Sequence, residues 1–322
     1  MNEIPLVWVE VGRKIPKYLV SNIQLHREMY PSRPQILITD CPTPRVLDKD
    51  CEVVTISNLS EEFSIETTMK RTTGQEKFWI NTTKRFFFLQ EYLKNTKVKK
   101  LIHSESDNII LRADVIDNCF ESSNWGLAYT MQANNVGCAS IFLVNKESTL
   151  ADFVRMIIDS WNKLDQDDMK LLGKFSTNGD VRILPTKVND EFVFDAGTYG
   201  KFLLGTDARN RRFPVSSRGI VDDRIGAIDV WGEHLGFEYF DLSNRLLIDS
   251  ASRTSELVNI HVHSKRIPSS LNKLRKIVYR DVNNLGKNLW FVGHLDSLVL
   301  LERFLSWVFR NILRRQKEVR LR

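Results

Sequence analysis

Cysteine is scarce in this sequence and is not arranged for metal binding. The 322 residues include four cysteines, and no two of them form a CxxC pair or lie at a close spacing to a histidine. That spacing excludes a zinc knuckle and a thioredoxin-like redox site. We therefore expect ordinary buried thiols in a protein of a reducing compartment.

Long hydrophobic runs are also absent. No uncharged apolar stretch reaches the length of about 18 residues that a membrane-spanning helix needs. The segment Met1–Glu10 lacks a basic stretch followed by a long apolar core, which is the pattern of a signal peptide. We therefore expect a cytoplasmic protein that is neither secreted nor membrane-spanning.

Excess charge of one sign is confined to one end of the chain. Lysine and arginine outnumber aspartate and glutamate by 46 to 40, and much of the excess lies between Arg310 and Arg322. The remaining charges are mixed, and no aromatic residues alternate with the basic ones as in a stacking platform. No nucleic-acid partner is therefore expected. The hydrophobic content of 42% is that of a folded protein with a core.

Apolar periodicity predicts alternating strands and helices. β-Branched runs at Ile4–Val11, Gln35–Thr39 and Lys99–His103 predict buried strands. Helical spacing over Lys17–Met29 and Glu76–Leu93 predicts helices between them. Strands that alternate with helices favour an α/β fold with a mostly parallel sheet covered on both faces.

The later part of the chain shows three further patterns. Helical spacing over Phe192–Leu204 predicts a helix, and the arginine-rich segment Asp207–Asp223 predicts a loop. Leu289–Leu313 has an apolar stripe opposite an arginine-rich face. Such a helix either rests on anionic lipid or packs its stripe against protein.

An acidic pair follows the strand that ends at His103. Glu105 and Asp107 are two residues apart, so an extended chain would point both side chains to one side. Two carboxylates at the end of a strand suit Mn²⁺ or Mg²⁺, with phosphates and waters completing the shell. An isolated ExD also fits a polar turn with a helix-capping residue.

A histidine pair lies near the other end of the folded region. Alternation over Val258–His263 predicts a strand with His261 and His263 on one face and Lys265 just beyond it. An imidazole nitrogen would complete a manganese site, and a lysine would offset diphosphate charge. Two structural histidines are the competing interpretation.

The order of these features resembles the GT-A type of nucleotide-sugar-dependent glycosyltransferases. The closer similarity is to bacterial transferases that build surface polysaccharides, and it extends over about Ile4–Lys265. It is carried by these segments: Phe78–Phe86, His103–Asp107, Phe194–Gly200, Gly205–Asp207 and Ile260–Lys265.

The resemblance implies roles for particular residues. Glu105-Ser106-Asp107 resembles the DxD motif, with glutamate in the first position. The implied metal ligands are Glu105, Asp107, His261 and His263. The implied donor-binding residues are Arg85, which would pair with diphosphate or orient an acidic residue, Ala139, Ser140 and Lys265. The implied catalytic candidates are Asp195, Asp190 and Glu191. Asp195 is preferred because it lies within a matched segment, although a helix cap explains it equally well.

The resemblance also implies an architecture and a reaction. Residues 1–268 would form a GT-A, Rossmann-like catalytic domain with a mixed, mostly parallel sheet. Its nucleotide-binding half would span 1–107 and its acceptor half 108–268, with a basic amphipathic helical extension at 269–322. The enzyme would transfer a hexose from a UDP- or GDP-sugar to a glycan or lipid-linked acceptor, with possible peripheral contact to the inner face of the membrane.

Two other functions share parts of this pattern. A sugar nucleotidyltransferase has a similar architecture and metal use, but no glycine-rich phosphate loop is found near the N-terminus. A non-catalytic carbohydrate-binding or scaffold protein would keep the fold without the chemistry. Nucleotide binding that requires Mn²⁺ would separate the transferase from the scaffold.

Overall fold

The structure is a computed structural model, and it describes twelve stretches of the chain: residues 3–12, 14–55, 76–121, 124–133, 135–161, 167–186, 190–197, 199–200, 237–241, 246–249, 254–263 and 265–270. The described elements belong to one compact unit, Met1–Val278. The predicted loop Asp207–Asp223 and the predicted helix Leu289–Leu313 lie outside the described residues, as does most of the extension 269–322.

Helices and strands alternate through the first part of the chain. They are β1 (Leu6–Glu10), α1 (Lys17–Met29), β2 (Gln35–Thr39), β3 (Glu52–Thr55), α2 (Glu76–Asn95), β4 (Leu101–Ser104), β5 (Asn108–Ile110) and α3 (Ala113–Glu121). A short 3-10 turn, Arg45–Leu47, precedes β3.

Further elements follow. They are β6 (Leu127–Ala133), β7 (Val136–Val144), α4 (Glu147–Trp161), α5 (Asp168–Phe175), β8 (Val181–Leu184), β9 (Phe192–Val193), β10 (Phe237–Asp241), β11 (Leu246–Asp249), β12 (Thr254–Leu257) and β13 (Asn259–His261). None of the helices in the described part of the chain combines the length and apolar character needed to span a membrane.

A seven-stranded sheet forms the centre of the fold, in the order β3-β2-β1-β4-β7-β6-β8. Neighbouring strands in this sheet run parallel, except that β7 runs antiparallel to both β4 and β6. The predicted α/β architecture with a mixed, mostly parallel sheet is thereby confirmed. The strand order reverses between β1 and β4, and open α/β sheets bind ligands beyond the carboxyl ends of the strands at such a point.

Helices cover both faces of this sheet. On one face α2 and α4 meet the sheet through Phe86, Phe142 and Phe153, whose ring centroids lie 5.0 to 6.4 Å apart. On the other face Trp8 and Leu19 belong to the core under α1 and α3. Each fully buried large apolar side chain contributes about 1.5 to 3 kcal/mol, so the two cores hold the strand ends in place.

The prediction of a helix over Phe192–Leu204 is wrong at its start. Phe192 and Val193 form β9, which pairs in parallel with β12, and helical backbone is found at Tyr199 and Gly200. The backbone N–H of Val258 also donates to the Val193 carbonyl, 2.8 Å away. Strand pairing between distant segments therefore overrides the local helical spacing.

A two-stranded sheet joins two segments that lie far apart in the sequence. β13 runs antiparallel to β5, with His261 opposite Asn108 and Asn259 opposite Ile110. A separate four-stranded sheet has the order β10-β11-β12-β9. The pairing of β13 with β5 places the histidine strand beside the segment that follows Glu105 and Asp107.

His26 in α1 gives the fold a testable dependence on pH. The ring is fully buried, its Nδ1 lies 2.8 Å from the Asn22 carbonyl oxygen, and its Nε2 accepts from the Ile110 N–H at 2.9 Å. Burial lowers the pKa of His26 to about 4. The unfolded state binds the proton more tightly, so stability falls as the pH drops from about 6.5 towards 4.

We expect this histidine to account for a loss of about 2 kcal/mol in the free energy of unfolding between pH 7.5 and 5. Urea unfolding at both pH values measures it. His26→Gln, which cannot titrate, should be less stable at pH 7.5 but should show a shallower pH dependence. An equally steep dependence in the variant would contradict this assignment.

Candidate functional site

The acidic pair lies in a tight turn between β4 and β5. The backbone N–H of Asn108 donates to the Glu105 carbonyl at 3.1 Å, so the segment is not extended as the spacing argument assumed. The N–H of Glu105 donates to the Ser140 carbonyl at 3.0 Å, and the N–H of Val262 donates to the Asp107 carbonyl at 2.7 Å. The turn is therefore held between β7 and the residues that follow β13.

His261 lies between the two carboxylates of this turn. Its Nε2 is 3.1 Å from Glu105 Oε2 and 3.3 Å from Asp107 Oδ1. Asp107 and His261 are buried, at 3% and 8% exposure. The two sequence motifs thus meet in space at the carboxyl end of β4.

The buried carboxylates favour a cation between them. Burial alone would lower the pKa of His261, but Asp107 and Glu105 raise it well above its ordinary value. Burial would raise the pKa of Asp107, but His261 and Lys265 hold it well below its usual range. The site therefore stabilises positive charge, whether a proton on the imidazole or a metal ion.

Lys265 adds a second positive charge on the Asp107 side. Its Nζ forms an ion pair with Asp107 and lies 5.3 Å from the centre of the Tyr18 ring. The backbone of Lys265 has a φ of 58°, a conformation that few residues other than glycine adopt. The turn after β13 thus delivers the ammonium group to the acidic pair.

Arg85 holds the other carboxylate. Its Nη1 is 2.5 Å from Glu105 Oε1, and its Nη2 forms an ion pair with Asp168 at the start of α5. Arg85 and Asp168 are 8% and 2% exposed. Arg85 thus contacts two acidic residues, and its predicted pairing with diphosphate stays a prediction. Asp168 was missed, because in sequence it resembles any acidic residue in the first turn of a helix.

Cys138 on β7 also lies at the site. Its sulfur and one ligand atom each from Glu105 and His261 lie within 4.8 Å of one another, so the three residues form a candidate metal-binding group. Cys138 is a buried free thiol, as the cysteine spacing predicted. Its place at the site could not be predicted from the sequence, because the three residues come from distant segments that the packing of β4, β7 and β13 brings together.

Asp195 is fully buried, and its carboxylate accepts four backbone hydrogen bonds. Oδ1 accepts from Gly197 and Tyr199 at 2.7 and 3.0 Å, and Oδ2 accepts from Gly200 and His261 at 2.7 and 2.9 Å. Burial raises the pKa of Asp195 despite these donors. This geometry fastens the loop after β9 to β13, and a direct role in catalysis stays a prediction.

The two small residues predicted to face the donor lie in the interior. Ala139 is 2% exposed and belongs to the core, and Ser140 is fully buried. The Ser140 hydroxyl donates to the Asp195 carbonyl at 2.9 Å. Ser140 therefore links the acidic turn to the Asp195 loop, and donor contact by either residue stays a prediction.

The remaining candidates lie around this cluster. The rings of His261 and His263 are 4.3 Å apart between centroids, so His263 is adjacent to the acidic pair. Asp190 and Glu191 are exposed just before β9, and neither belongs to the ion-pair cluster among the described residues. Their proposed role as a base stays a prediction.

No protein-family model and no curated protein sequence matches the chain. Similar solved structures include the glycosyltransferase GlyE of Streptococcus pneumoniae, with 11% identity and a TM-score of 0.38 over 57% of this chain and 45% of GlyE. Mouse xyloside xylosyltransferase 1 gives 10% identity and a TM-score of 0.40, over 57% of this chain and 85% of that protein.

The galactosyltransferase LgtC, in complex with donor and acceptor sugar analogues, gives 11% identity and a TM-score of 0.39, over 67% of this chain and 82% of LgtC. These neighbours are glycosyltransferases, the class that the sequence resembles. The matched part spans less than half the length of GlyE. Such remote likeness carries no assignment of activity, which has to come from the residues of the site.

Replacement of Arg85 by alanine should strongly destabilise the protein. Glu105 and Asp168 would be left as buried carboxylates without their shared cation, which typically costs about 3 to 5 kcal/mol. Arg155→Ala is the control, because the Arg155 side chain is 70% exposed and its ion pair with Asp152 lies at the surface. It should change stability by at most about 1 kcal/mol. Chemical unfolding measures both, and equal effects would contradict the buried-bridge interpretation.

Gly200→Ala should displace His261. A Cβ at Gly200 would collide with the His261 carbonyl and lie 2.9 Å from Asp195 Oδ2. We expect destabilisation of about 1 to 3 kcal/mol and weaker Mn²⁺ binding, measured by calorimetry. Gly179→Ala is the control, because a Cβ there meets no atom within 4 Å. Unchanged metal affinity in folded Gly200→Ala would argue against His261 as a ligand.

Proposed function

We propose that the chain is a metal-dependent GT-A glycosyltransferase that moves a sugar from a nucleotide-diphosphate sugar to a glycan or glycolipid acceptor. The observation that carries the proposal is the position of His261, with its Nε2 3.1 Å and 3.3 Å from the carboxylates of Glu105 and Asp107. This cluster stands where the strand order reverses between β1 and β4, the usual place for a ligand in an open α/β sheet.

The donor atoms fit a hard or borderline divalent cation. Ligands at right angles in an octahedral shell, each about 2.1 Å from the ion, lie about 3 Å from one another. The distances from His261 Nε2 to the carboxylate oxygens of Glu105 and Asp107 are close to that value, which is also close to the length of a hydrogen bond from a protonated imidazole. Among the described residues, the group whose ligand atoms all lie near one another is Glu105, Cys138 and His261, so Cys138 is a candidate ligand as well. Carboxylates suit Mg²⁺ and Mn²⁺, and an imidazole nitrogen favours the softer Mn²⁺. We propose Mn²⁺, with Mg²⁺ as the alternative, and His263 as a further candidate ligand.

The residues of the site meet the main demand of glycosyl transfer. The bound ion would stabilise the negative charge that develops on the departing nucleotide diphosphate. Lys265, already beside Asp107, adds a positive charge for the same phosphates. Arg85 and Asp168 keep the Glu105 carboxylate in one orientation, so little reorganisation is needed when the substrate binds.

The residues that would act on the acceptor are chosen by their exposure to solvent. Asp190 and Glu191 are exposed, so they are open to an acceptor hydroxyl, and in an inverting enzyme one of them would take its proton. The Asp195 carboxylate, in contrast, accepts four hydrogen bonds, and all of them come from backbone N–H groups. We therefore rank Asp190 and Glu191 above Asp195 as the base.

The wider setting follows from the resemblance of the sequence. We propose a UDP- or GDP-hexose donor and an acceptor in surface polysaccharide synthesis on the cytoplasmic side. The basic stretch within 269–322 would bring the enzyme to a lipid-linked acceptor through anionic lipid. The catalytic domain would then comprise residues 1–268, with the donor bound mainly by 1–107.

A thermal-shift screen of UDP, GDP, CMP and dTDP with and without Mn²⁺ tests the donor site. A ligand that binds only the folded state raises the melting temperature. We expect one nucleoside diphosphate to raise it by several degrees when Mn²⁺ is present and by much less in its absence. No shift with any of these nucleotides would overturn the proposed function.

Asp107→Asn should abolish the metal-dependent part of that shift and lower sugar-transfer activity by at least 100-fold, roughly 3 kcal/mol of transition-state stabilisation. Each shift is taken relative to the same variant without nucleotide, which cancels any loss of basal stability. Asp114→Asn is the matched control, because the Asp114 side chain is 62% exposed on α3. It should retain both the shift and the activity.

A further inference from the structure

Cys138 gives the candidate metal site a ligand of a different chemical kind. Its sulfur and one ligand atom each from Glu105 and His261 all lie within 4.8 Å of one another. The side chain is a free thiol on β7, and the residue is 5% exposed. Carboxylates and an imidazole are sufficient for Mn²⁺, so they do not explain why a sulfur atom lies at this place.

His261 has a second ring nitrogen that is available to a ligand. Its Nε2 faces Glu105 and Asp107, whereas its Nδ1 is buried and has no hydrogen-bond partner among the described residues. The residue is 8% exposed, so bulk water does not reach this nitrogen. A buried polar atom without a partner is costly, and a bound ion would remove that cost.

A second imidazole approaches the same place. A Cβ on Gly197 would lie 3.4 Å from His261 Nδ1 and 2.6 Å from His263 Nε2, so both nitrogens face the side of this glycine that carries no side chain. The φ of Gly197 is 105°, which also favours glycine. His263 is therefore the candidate for a fourth ligand beside Glu105, Cys138 and His261.

Thiolate, imidazole and carboxylate are together the usual ligands of Zn²⁺. Zinc binds cysteine sulfur at about 2.3 Å and histidine nitrogen at about 2.0 to 2.1 Å, in a tetrahedral arrangement, so its ligand atoms lie roughly 3.3 to 3.8 Å apart. The group at Cys138 would have to contract by no more than about 1.5 Å to enclose the ion. Thiolates select zinc and similar softer ions, whereas Mn²⁺ suits oxygen ligands.

We propose that Cys138 makes this site thiophilic, so that it binds Zn²⁺ through Glu105, Cys138 and His261, with His263 as the fourth ligand, in competition with Mn²⁺. This inference rests on the proposed function, because it concerns the metal site of that enzyme. Both ions need Glu105 and His261, so only one of them is bound at a time. A zinc ion enclosed by four protein ligands has no open position for a diphosphate, so Zn²⁺ would inhibit sugar transfer.

Cobalt spectroscopy tests whether the sulfur binds the ion. Co²⁺ occupies zinc sites, and a cobalt–thiolate bond gives a charge-transfer absorption in the near ultraviolet that oxygen and nitrogen ligands do not give. We expect this band when Co²⁺ is added to the reduced, metal-free full chain, and its loss when Zn²⁺ follows. Cys138→Ser should lack the band. Cys119→Ser is the matched control, because Cys119 is a half-buried free thiol on α3, and it should keep the band.

Calorimetry measures which metal depends on Cys138. Loss of an outer-shell partner typically weakens metal binding about 10- to 100-fold, so we expect the loss of a direct ligand to weaken Zn²⁺ binding by at least roughly 100-fold in Cys138→Ser. Mn²⁺ affinity should change by less than about threefold, because Mn²⁺ gains little from sulfur. Cys138→Ala provides a second variant, in which no oxygen replaces the sulfur. Retained Mn²⁺ affinity also shows that the site is still folded.

The nucleotide thermal shift measures the competition. In the wild type, Zn²⁺ should abolish the part of the shift that requires Mn²⁺, and Cys138→Ser should need roughly 100-fold more Zn²⁺ for the same effect. A Mn²⁺-dependent shift that saturating Zn²⁺ leaves unchanged would overturn the competition.

The remaining outcomes separate this inference from the function on which it rests. Equal losses of Zn²⁺ and Mn²⁺ affinity in the cysteine variants would indicate a structural role for Cys138 and overturn the thiophilic site. Absence of the cobalt–thiolate band in the wild type would overturn it as well. A wild-type chain that shows the band and the selective loss of Zn²⁺ binding, but no thermal shift with any nucleoside diphosphate, would support the zinc site and overturn the proposed function.

Discussion

The contact of His261 with Glu105 and Asp107 is the constraint on which the rest of the site depends. It exists because β13 pairs with β5, which places His261 opposite Asn108. Asn259 locks that pairing, since its side chain donates to Asn108 Oδ1 at 2.7 Å and accepts from the Asp195 N–H at 3.0 Å. Three segments that are remote in sequence thus share one buried hydrogen-bond network, and such networks are strongest when every member is satisfied.

Buried charges are costly, and this site distributes them so that each carboxylate has cationic partners. Glu105 is held by Arg85 and by His261, and Asp107 by Lys265 and the same imidazole. Isolated ion pairs of this kind add little net stability because of the cost of removing them from water. Their value here is geometric, because fixed charges in a region shielded from water stabilise developing charge without having to reorganise.

The topology of the sheet explains why these groups lie where a ligand would bind. β1 and β4 are parallel neighbours from which the chain continues in opposite directions, towards β2 and towards β7. Ligands of open α/β sheets bind beyond the carboxyl ends of such a pair, and the turn after β4 lies at that edge of the sheet. The exposed Asp190 and Glu191 precede β9, which belongs to a separate sheet, so the proposed donor and acceptor roles fall in different parts of the fold.

The sequence by itself determined the α/β class, the strands β1, β2 and β4, the helices α1 and α2, and the acidic and histidine motifs, because these depend on local periodicity and on neighbours in the chain. Tertiary structure decided that Phe192 and Val193 form a strand, because their hydrogen-bond partners lie more than 60 residues away on β12. It also brought Cys138 and Asp168 to the site, which no local pattern indicated. Periodicity records which face of an element is apolar, whereas the partners of a buried polar group are chosen by packing between distant elements.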